Sequence, residues 1–316
     1  MCTSNSSNTG QAYRRGVGAF VFLALALGLV LEFGSRALVP VISRQERRVR
    51  AEKRTILDDG WIFGRRVLIV GNSLLGTGIN IEELRAALQS EASIKRMLIE
   101  NTAYTEWFYG TQYLMRHEAD CDFLVLVLSE RQLATGRHIG EYFAYELMDP
   151  TDIVLAVHET RANADVASNL LLTKCSAFWG LRRGVRQWAL EATIPRVDLL
   201  AGVFAPAARD TLRADAIFPV VVRRLERLAR AAENHRARLV LVIPPALSGA
   251  ETVAAVERAG RQVGVPVLVP LRPGALPRAD FSDGMHLTPE GARFFTEHLA
   301  VALRELVGQV GADVSR

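Results

Sequence analysis

Cysteine is scarce: the 316 residues hold three, Cys2, Cys121 and Cys175. They form no C-x-x-C pair and are too scattered for a zinc site, so neither a zinc module nor a disulfide-stapled small fold is encoded. Cys121 and Cys175 could pair in an oxidising compartment, which their spacing leaves open. Cys2 precedes the apolar segment and lacks the apolar run that a lipoprotein cysteine follows. An excess of one charge is missing too. Lys and Arg number 38 against 34 Asp and Glu, a net +4, and the globular part carries no dense basic block, which argues against nucleic acid as a partner. G-x-G-x-x-G is absent, and no Gly-Lys-Ser/Thr follows the cluster Gly71, Gly76 and Gly78, so phosphate-cradling loops are poorly supported. His117, His138, His158, His235 and His298 are dispersed without metal-ligand spacing. No metal is expected. Repeats and low-complexity tracts are also lacking. With 49% hydrophobic and 23% charged residues, the chain is neither disordered nor collagen-like, and it is long enough for one large domain plus an anchor.

One long apolar run is present. Gly16 to Gly34 reads GVGAFVFLALALGLVLEFG, with Glu32 its single charge. At about 1.5 Å per residue it matches a bilayer's hydrocarbon thickness. Arg14 and Arg15 precede it, as in an export signal, and no small-x-small cleavage site follows, so a retained signal anchor is expected; the alternative is a buried core helix. The expected organisation is a cytoplasmic tail at 1–15, a transmembrane anchor at 16–34, a juxtamembrane linker at 35–60 and one globular domain at 61–316. Sidedness is contested. Arg36, Arg44, Arg47, Arg48, Arg50, Lys53 and Arg54 follow the run, and by the positive-inside rule they would hold the domain in the cytoplasm. The Arg-Arg ahead of the run favours export, and the expectation is a single-pass inner-membrane protein with an extracytoplasmic, periplasmic domain.

Short β-branched runs end in polar, glycine or proline residues: Arg66 to Val70 before Gly71-Asn72-Ser73, Phe123 to Leu128 before Ser129, Arg238 to Ile243 before Pro244-Pro245, and Val265 to Val269 before Pro270. Helical patterns lie between them, at Ile81 to Leu88, Val220 to Glu233 and Glu251 to Val263. Continuous apolar strands alternating with helices predict an α/β fold whose parallel sheet is covered on both faces. Ligands of such sheets bind at the carboxyl ends of the strands. The stretch from about 140 to 215 breaks the alternation and reads as a helical insertion or lid, or as a partner-docking surface.

Two segments could carry chemistry. Ser73 follows the first strand in a tight turn at a helix start, where N–H groups and partial positive charge could receive an oxyanion; equally, it could simply cap that helix. Asp283-Gly284-Met285-His286-Leu287 precedes Thr288-Pro289, a good N-cap and first helical residue, with the helix running to about Leu306. A carboxylate three residues before a histidine can take its Nδ1 proton and leave Nε2 as a base. The plainer reading is a surface turn whose aspartate bonds its own backbone.

Together the segments resemble the SGNH hydrolases, or GDSL-like esterases. Gly71-Asn72-Ser73 stands where that family has Gly-Asp-Ser or Gly-Asn-Ser, and Asp283-Gly284-Met285-His286-Leu287 matches its Asp-x-x-His-Leu block with the Thr-Pro-x-Gly helix start. The similarity spans Arg66 to Leu306, apart from the insertion. It implies a flavodoxin-like three-layer sandwich, no cofactor, and acyl transfer through a serine ester, with Ser73 as nucleophile, His286 as base and Asp283 as its orienter. Two family blocks depart from the pattern. The loop Asn101 to Glu106 lacks the oxyanion-hole glycine, leaving the Thr105 N–H to serve there. Arg131 falls nearest the place of the family's asparagine after the third strand, where it could hold an oxyanion or merely pair with Glu130 or Glu106. Trp107 and Tyr109 could stack on a sugar or belong to the core.

Membrane-anchored members of the family it resembles include proteins that add or remove acetyl or alanyl esters on secreted polysaccharide or cell-wall polymers. The resemblance therefore implies an O-acetyl esterase or O-acyltransferase acting on an envelope or secreted polysaccharide. Its partners would be an acylated carbohydrate or lipid ester, the membrane, and other polysaccharide-modification membrane proteins. A lipase or thioesterase with the insertion as lid is one alternative. A non-catalytic scaffold of a modification or export complex is the other.

Overall fold

The computed structural model describes residues 6–135, 139–194, 213–247 and 249–313. Cys2, His138 and part of the expected insertion (195–212) lie outside the described residues.

Five parallel strands form one sheet: β1 (Arg65–Gly71), β2 (Ala92–Leu98), β3 (Phe123–Val127), β4 (Arg238–Val242) and β5 (Val267–Leu268), in the order β2-β1-β3-β4-β5. This is the flavodoxin-like arrangement, in which the chain switches direction across the sheet between β1 and β3 and leaves a crevice there at the carboxyl ends. The strand period of two sends alternate residues to opposite faces. Leu68, Val70, Leu124, Leu126, Leu239 and Leu241 pack into one core, and Val67, Ile69, Val125, Val127, Val240 and Val242 into the other. Helices cover both faces, completing three layers.

On the second face lie α3 (Ser73–Gly78), α4 (Ile81–Ala87) and the C-terminal helix (Pro289–Asp313), which contribute Leu75, Leu84, Phe295 and Leu299. On the first lie α5 (Tyr104–Arg116) and the helices Ala214–Glu233 and Ala250–Val263, with Trp107, Leu225 and Val256. After β3 come α6 (Glu130–Ala134) and then α7 (Glu141–Leu147), α8 (Pro150–Thr160), α9 (Ala164–Cys175) and α10 (Ala177–Thr193). The part of the expected insertion described here is thus helical. Counting on, the helix Ala214–Glu233 is α11, Ala250–Val263 is α12 and Pro289–Asp313 is α13.

The basic stretch at 35–60 is mostly helix. It holds the end of α1 (Ser6–Ile42) and α2 (Arg44–Leu57), whose Val49 and Ile56 are buried in the first-face core. Glu52 on α2 accepts the Leu98 N–H at 2.8 Å and pairs with Arg96, so α2 seals the outer edge of β2 against pairing with another chain. Several of the juxtamembrane cations are spent inside the fold: Arg48 on Glu100, Arg50 on Glu46, Lys53 on Glu146. Within α1, Arg14–Ile42 is apolar enough to cross a membrane, and its most apolar 18-residue stretch has mean hydropathy 2.3 with no residue buried; Ser35 and Val39, further on, are buried against the domain. Near its end, Glu32 accepts from Ser176 Oγ (2.8 Å), Ala177 N (2.9 Å) and Phe178 N (3.2 Å), a carboxylate on the unpaired N–H groups that open α10. Cys121 is buried and Cys175 exposed, and both are free thiols, so the disulfide that spacing had left open is not formed.

Candidate active site

β1 ends in Gly71 because nothing larger fits: a Cβ there would lie 2.8 Å from the Val127 carbonyl and 3.1 Å from Leu75. The next residue, Asn72, is fully buried and serves as N-cap of α3, its Oδ1 accepting from Leu74 N at 3.0 Å. Ser73 therefore takes the first helical position, where a backbone N–H has no acceptor within the helix.

The second element is the turn 281–287, closed at its base by a bridge between Phe281 and Leu287 and by Thr288 N donating to Asp280 O at 2.8 Å. Phe281 and Leu287 are buried in the core cluster that holds Leu75 and Ile79 beneath Ser73. Asn80 N also donates to Thr296 Oγ1 of α13 at 2.9 Å. Apolar burial and this bond bring together two stretches 213 residues apart. Gly284 has φ +87, which favours glycine, and the Arg278 guanidinium occupies the space a Cβ would need.

The outcome is a continuous relay. His286 Nε2 lies 3.0 Å from Ser73 Oγ, and His286 Nδ1 lies 2.7 Å from Asp283 Oδ2. Asp283 Oδ1 accepts from the backbone N–H of His286 at 2.8 Å and of Met285 at 2.9 Å. Partial burial raises the Asp283 pKa, but these N–H groups and the imidazole outweigh it and lower the carboxyl to about 2. An ionised carboxylate only accepts, so the proton between them sits on Nδ1, and Nε2 is left to accept from the serine hydroxyl.

Thr105 and Arg131 lie in the elements that follow β2 and β3, the two strands flanking β1. Thr105 is buried in the first turn of α5. Arg131 sits half-buried in the first turn of α6, where Gln132 rather than Arg131 completes the cap on Ser129. A link that sequence reasoning missed runs through Asn72. Its Nδ2 donates to Thr102 O at 2.7 Å, Thr102 Oγ1 donates to Ile99 O at 2.7 Å, and Trp107 Nε1 donates to Thr102 Oγ1 at 2.8 Å. The buried asparagine thus ties the serine turn to the loop that leads into Thr105. Its only sequence signal is a capping residue beside a serine. Trp107 and Tyr109 are both buried, so they belong to the core and offer no face to a sugar. No group of His, Cys, Asp and Glu suited to a metal occurs among the described residues.

No protein-family model matches the chain, and no curated protein matches it. Among solved structures it is similar to a crystal structure of TesA, at 12% identity and TM-score 0.41, covering 77% of this chain and 99% of that one. It is also similar to a catalytic mutant of Axe2, an acetylxylan esterase from Geobacillus stearothermophilus, at 9% identity and TM-score 0.41, covering 76% and 94%. Another Axe2 variant gives 10% identity and TM-score 0.40 over 78% of this chain and 95% of that one. Likeness at this level assigns no activity to this chain.

Proposed function

We propose that this protein is a membrane-anchored serine esterase or O-acyltransferase of the SGNH type, acting on acyl esters, acetyl foremost, of an envelope or secreted polysaccharide. The observation that carries the reading is the Ser73–His286–Asp283 relay at the carboxyl end of β1. Ser73 Oγ attacks the acyl carbonyl carbon while its proton passes to His286 Nε2, and the imidazolium formed is held by Asp283. The carbonyl oxygen becomes an oxyanion at the opening of α3, flanked by the Thr105 N–H and the Arg131 guanidinium. Collapse breaks the ester C–O bond, and the alcohol leaves with the proton from Nε2. Water, or a sugar hydroxyl in the transfer reaction, then attacks acyl-Ser73, returns a proton to His286 and frees the serine.

Anchoring belongs to the same reading. Glu32 is used inside the fold to cap α10, which supports a helix that stays with the mature protein. The domain is assigned to the extracytoplasmic side of the inner membrane, and alkaline phosphatase fused at the C-terminus is expected to be active. The catalytic reading is tested by hydrolysis of p-nitrophenyl acetate. Purified wild type turns it over and Ser73→Ala does not; equal rates in the two would refute the assignment.

A further inference from the structure

Which way the crevice faces relative to the bilayer can be followed through the helix contacts. Along the edge of β2, Arg48 meets Glu100, Glu52 meets Leu98, and Lys95 Nζ reaches Asp59 O. The path of α2 therefore descends from the carboxyl end of the sheet towards its amino end. Helix α7 runs in the same sense, since Tyr142 lies beside Glu46, whose charge adds to burial in raising the Tyr142 pKa, while Glu146 is bound by Lys53. Helix α10 runs opposite to α7: Arg182 pairs with Glu141, and Gly180 lies against the Tyr145 ring. The last turns of α1 run with α10, because Glu32 caps its start and Val39 and Ser43 lie against Gly184.

Residues 32–42 of α1 thus travel in the direction of the strands and end towards the carboxyl end of the sheet. The apolar segment before Glu32 trails away from the opposite end of the sheet. From Glu32 to Ser43 the helix rises about 16 Å. At the amino end of the sheet, in the turn before β1, Ile62 is 83% and Phe63 45% exposed, side chains that water alone does not favour and that an adjoining bilayer surface would cover.

We infer that α1, locked to α10 through Glu32, holds the domain with the amino ends of its strands against the bilayer and the Ser73 crevice opening away from it. The membrane-facing surface includes Ile62 and Phe63. The substrate is then an acylated carbohydrate chain reached through water, and an ester lying in the bilayer is out of reach. The substrate class rests on the esterase reading above; the orientation does not.

The full chain is placed in phosphatidylethanolamine–phosphatidylglycerol vesicles that carry a headgroup nitroxide lipid. A fluorophore is attached at Ile62→Cys or at Ala275→Cys, in the loop beyond the carboxyl end of β5, with Cys2→Ser and Cys175→Ser in both. The label at Ile62 is expected to lose most of its fluorescence and the label at Ala275 to keep it; equal loss at both, or greater loss at Ala275, overturns the orientation. Glu32→Ala, and Gly184→Leu as a wedge between α1 and α10, should quench the Ala275 label while soluble p-nitrophenyl acetate is still hydrolysed. An unchanged pattern in both removes the lock from the proposal. In the same vesicles an acetylated oligosaccharide in solution is turned over and a bilayer ester lipid is not. Turnover of the lipid overturns the substrate class. The expected quenching with no fluorophosphonate reaction at Ser73 would remove the esterase reading and leave the orientation standing.

Discussion

The two sides of the crevice are built differently. On the side proposed to activate Ser73, Asp283 and His286 are three residues apart and joined by backbone and side-chain bonds within one short turn. On the side proposed to receive the oxyanion, the order comes from groups distant in sequence: Asn72 reaches Thr102, thirty residues on, and Arg131 arrives from beyond β3. A local turn can be copied as a motif, whereas a long-range brace leaves only scattered polar residues. The Asp283–His286 pair is therefore readable from adjacent residues, and the proposed oxyanion side is readable only once the fold joins its parts.

Substitutions can break this comparison. The largest effect is expected on the activating side. Ser73→Ala should abolish acyl-enzyme formation and lower kcat by about a thousandfold or more, as for other triad serines, measured by steady-state ester hydrolysis. Asp283→Asn should cost about a thousandfold or more in kcat, because the amide no longer fixes the tautomer. It also carries a pH signature. The Asp283 pKa is depressed in the fold, so its contribution to stability is present above the unfolded value of roughly 3.9 and lost as pH falls through about 2. The gap in denaturation midpoint between wild type and Asp283→Asn should be full at pH 7 and shrink towards pH 2.

The oxyanion side should respond less. Arg131→Ala is expected to lower kcat about a hundredfold with little change in KM. Thr105→Val, which keeps the backbone N–H, should stay within a few-fold of wild type in the same assay, an order-of-magnitude expectation for a donor left in place. Asn72→Ala strips the brace and leaves the Thr102 carbonyl and Leu74 N–H short of a partner, at a cost of about 2 kcal/mol in unfolding free energy, read from chemical denaturation. The smallest effect is on the thiols. Burial, with Asp120 and Asp122 nearby, pushes the Cys121 thiol up to about 12. In a Cys2→Ser background, native protein should be alkylated at exposed Cys175 and at Cys121 only after unfolding, with no change in activity.

The same contrast between local and distant order governs what could be read from the sequence. Strands β1, β3 and β4 announce themselves as continuous apolar runs because helices cover both faces. The run at Val265 to Val269 shortens to Val267–Leu268 at the sheet edge. Strand β2 does not announce itself: Ser93, Lys95 and Arg96 interrupt it, and the two cations are received by Glu52 of α2 and by the Asp59 carbonyl just beyond that helix. The charge density of α2 reads as solvent-facing linker for the same reason, since the carboxylates that pair its arginines and lysine come partly from elsewhere in the chain. At the site, the Ser73 turn and the Asp283–His286 turn were legible as motifs. The Asn72–Thr102–Trp107 chain was not, because each member is an ordinary capping or core residue until the fold joins them.

The most direct measurement is fluorophosphonate labelling of the full chain, followed by mass-spectrometric mapping of the modified residue. Wild type should be labelled at Ser73, and His286→Ala, with the fold intact, should lose the label. A wild-type protein that takes no label at Ser73, or a His286→Ala protein labelled as fast as wild type, would contradict the account.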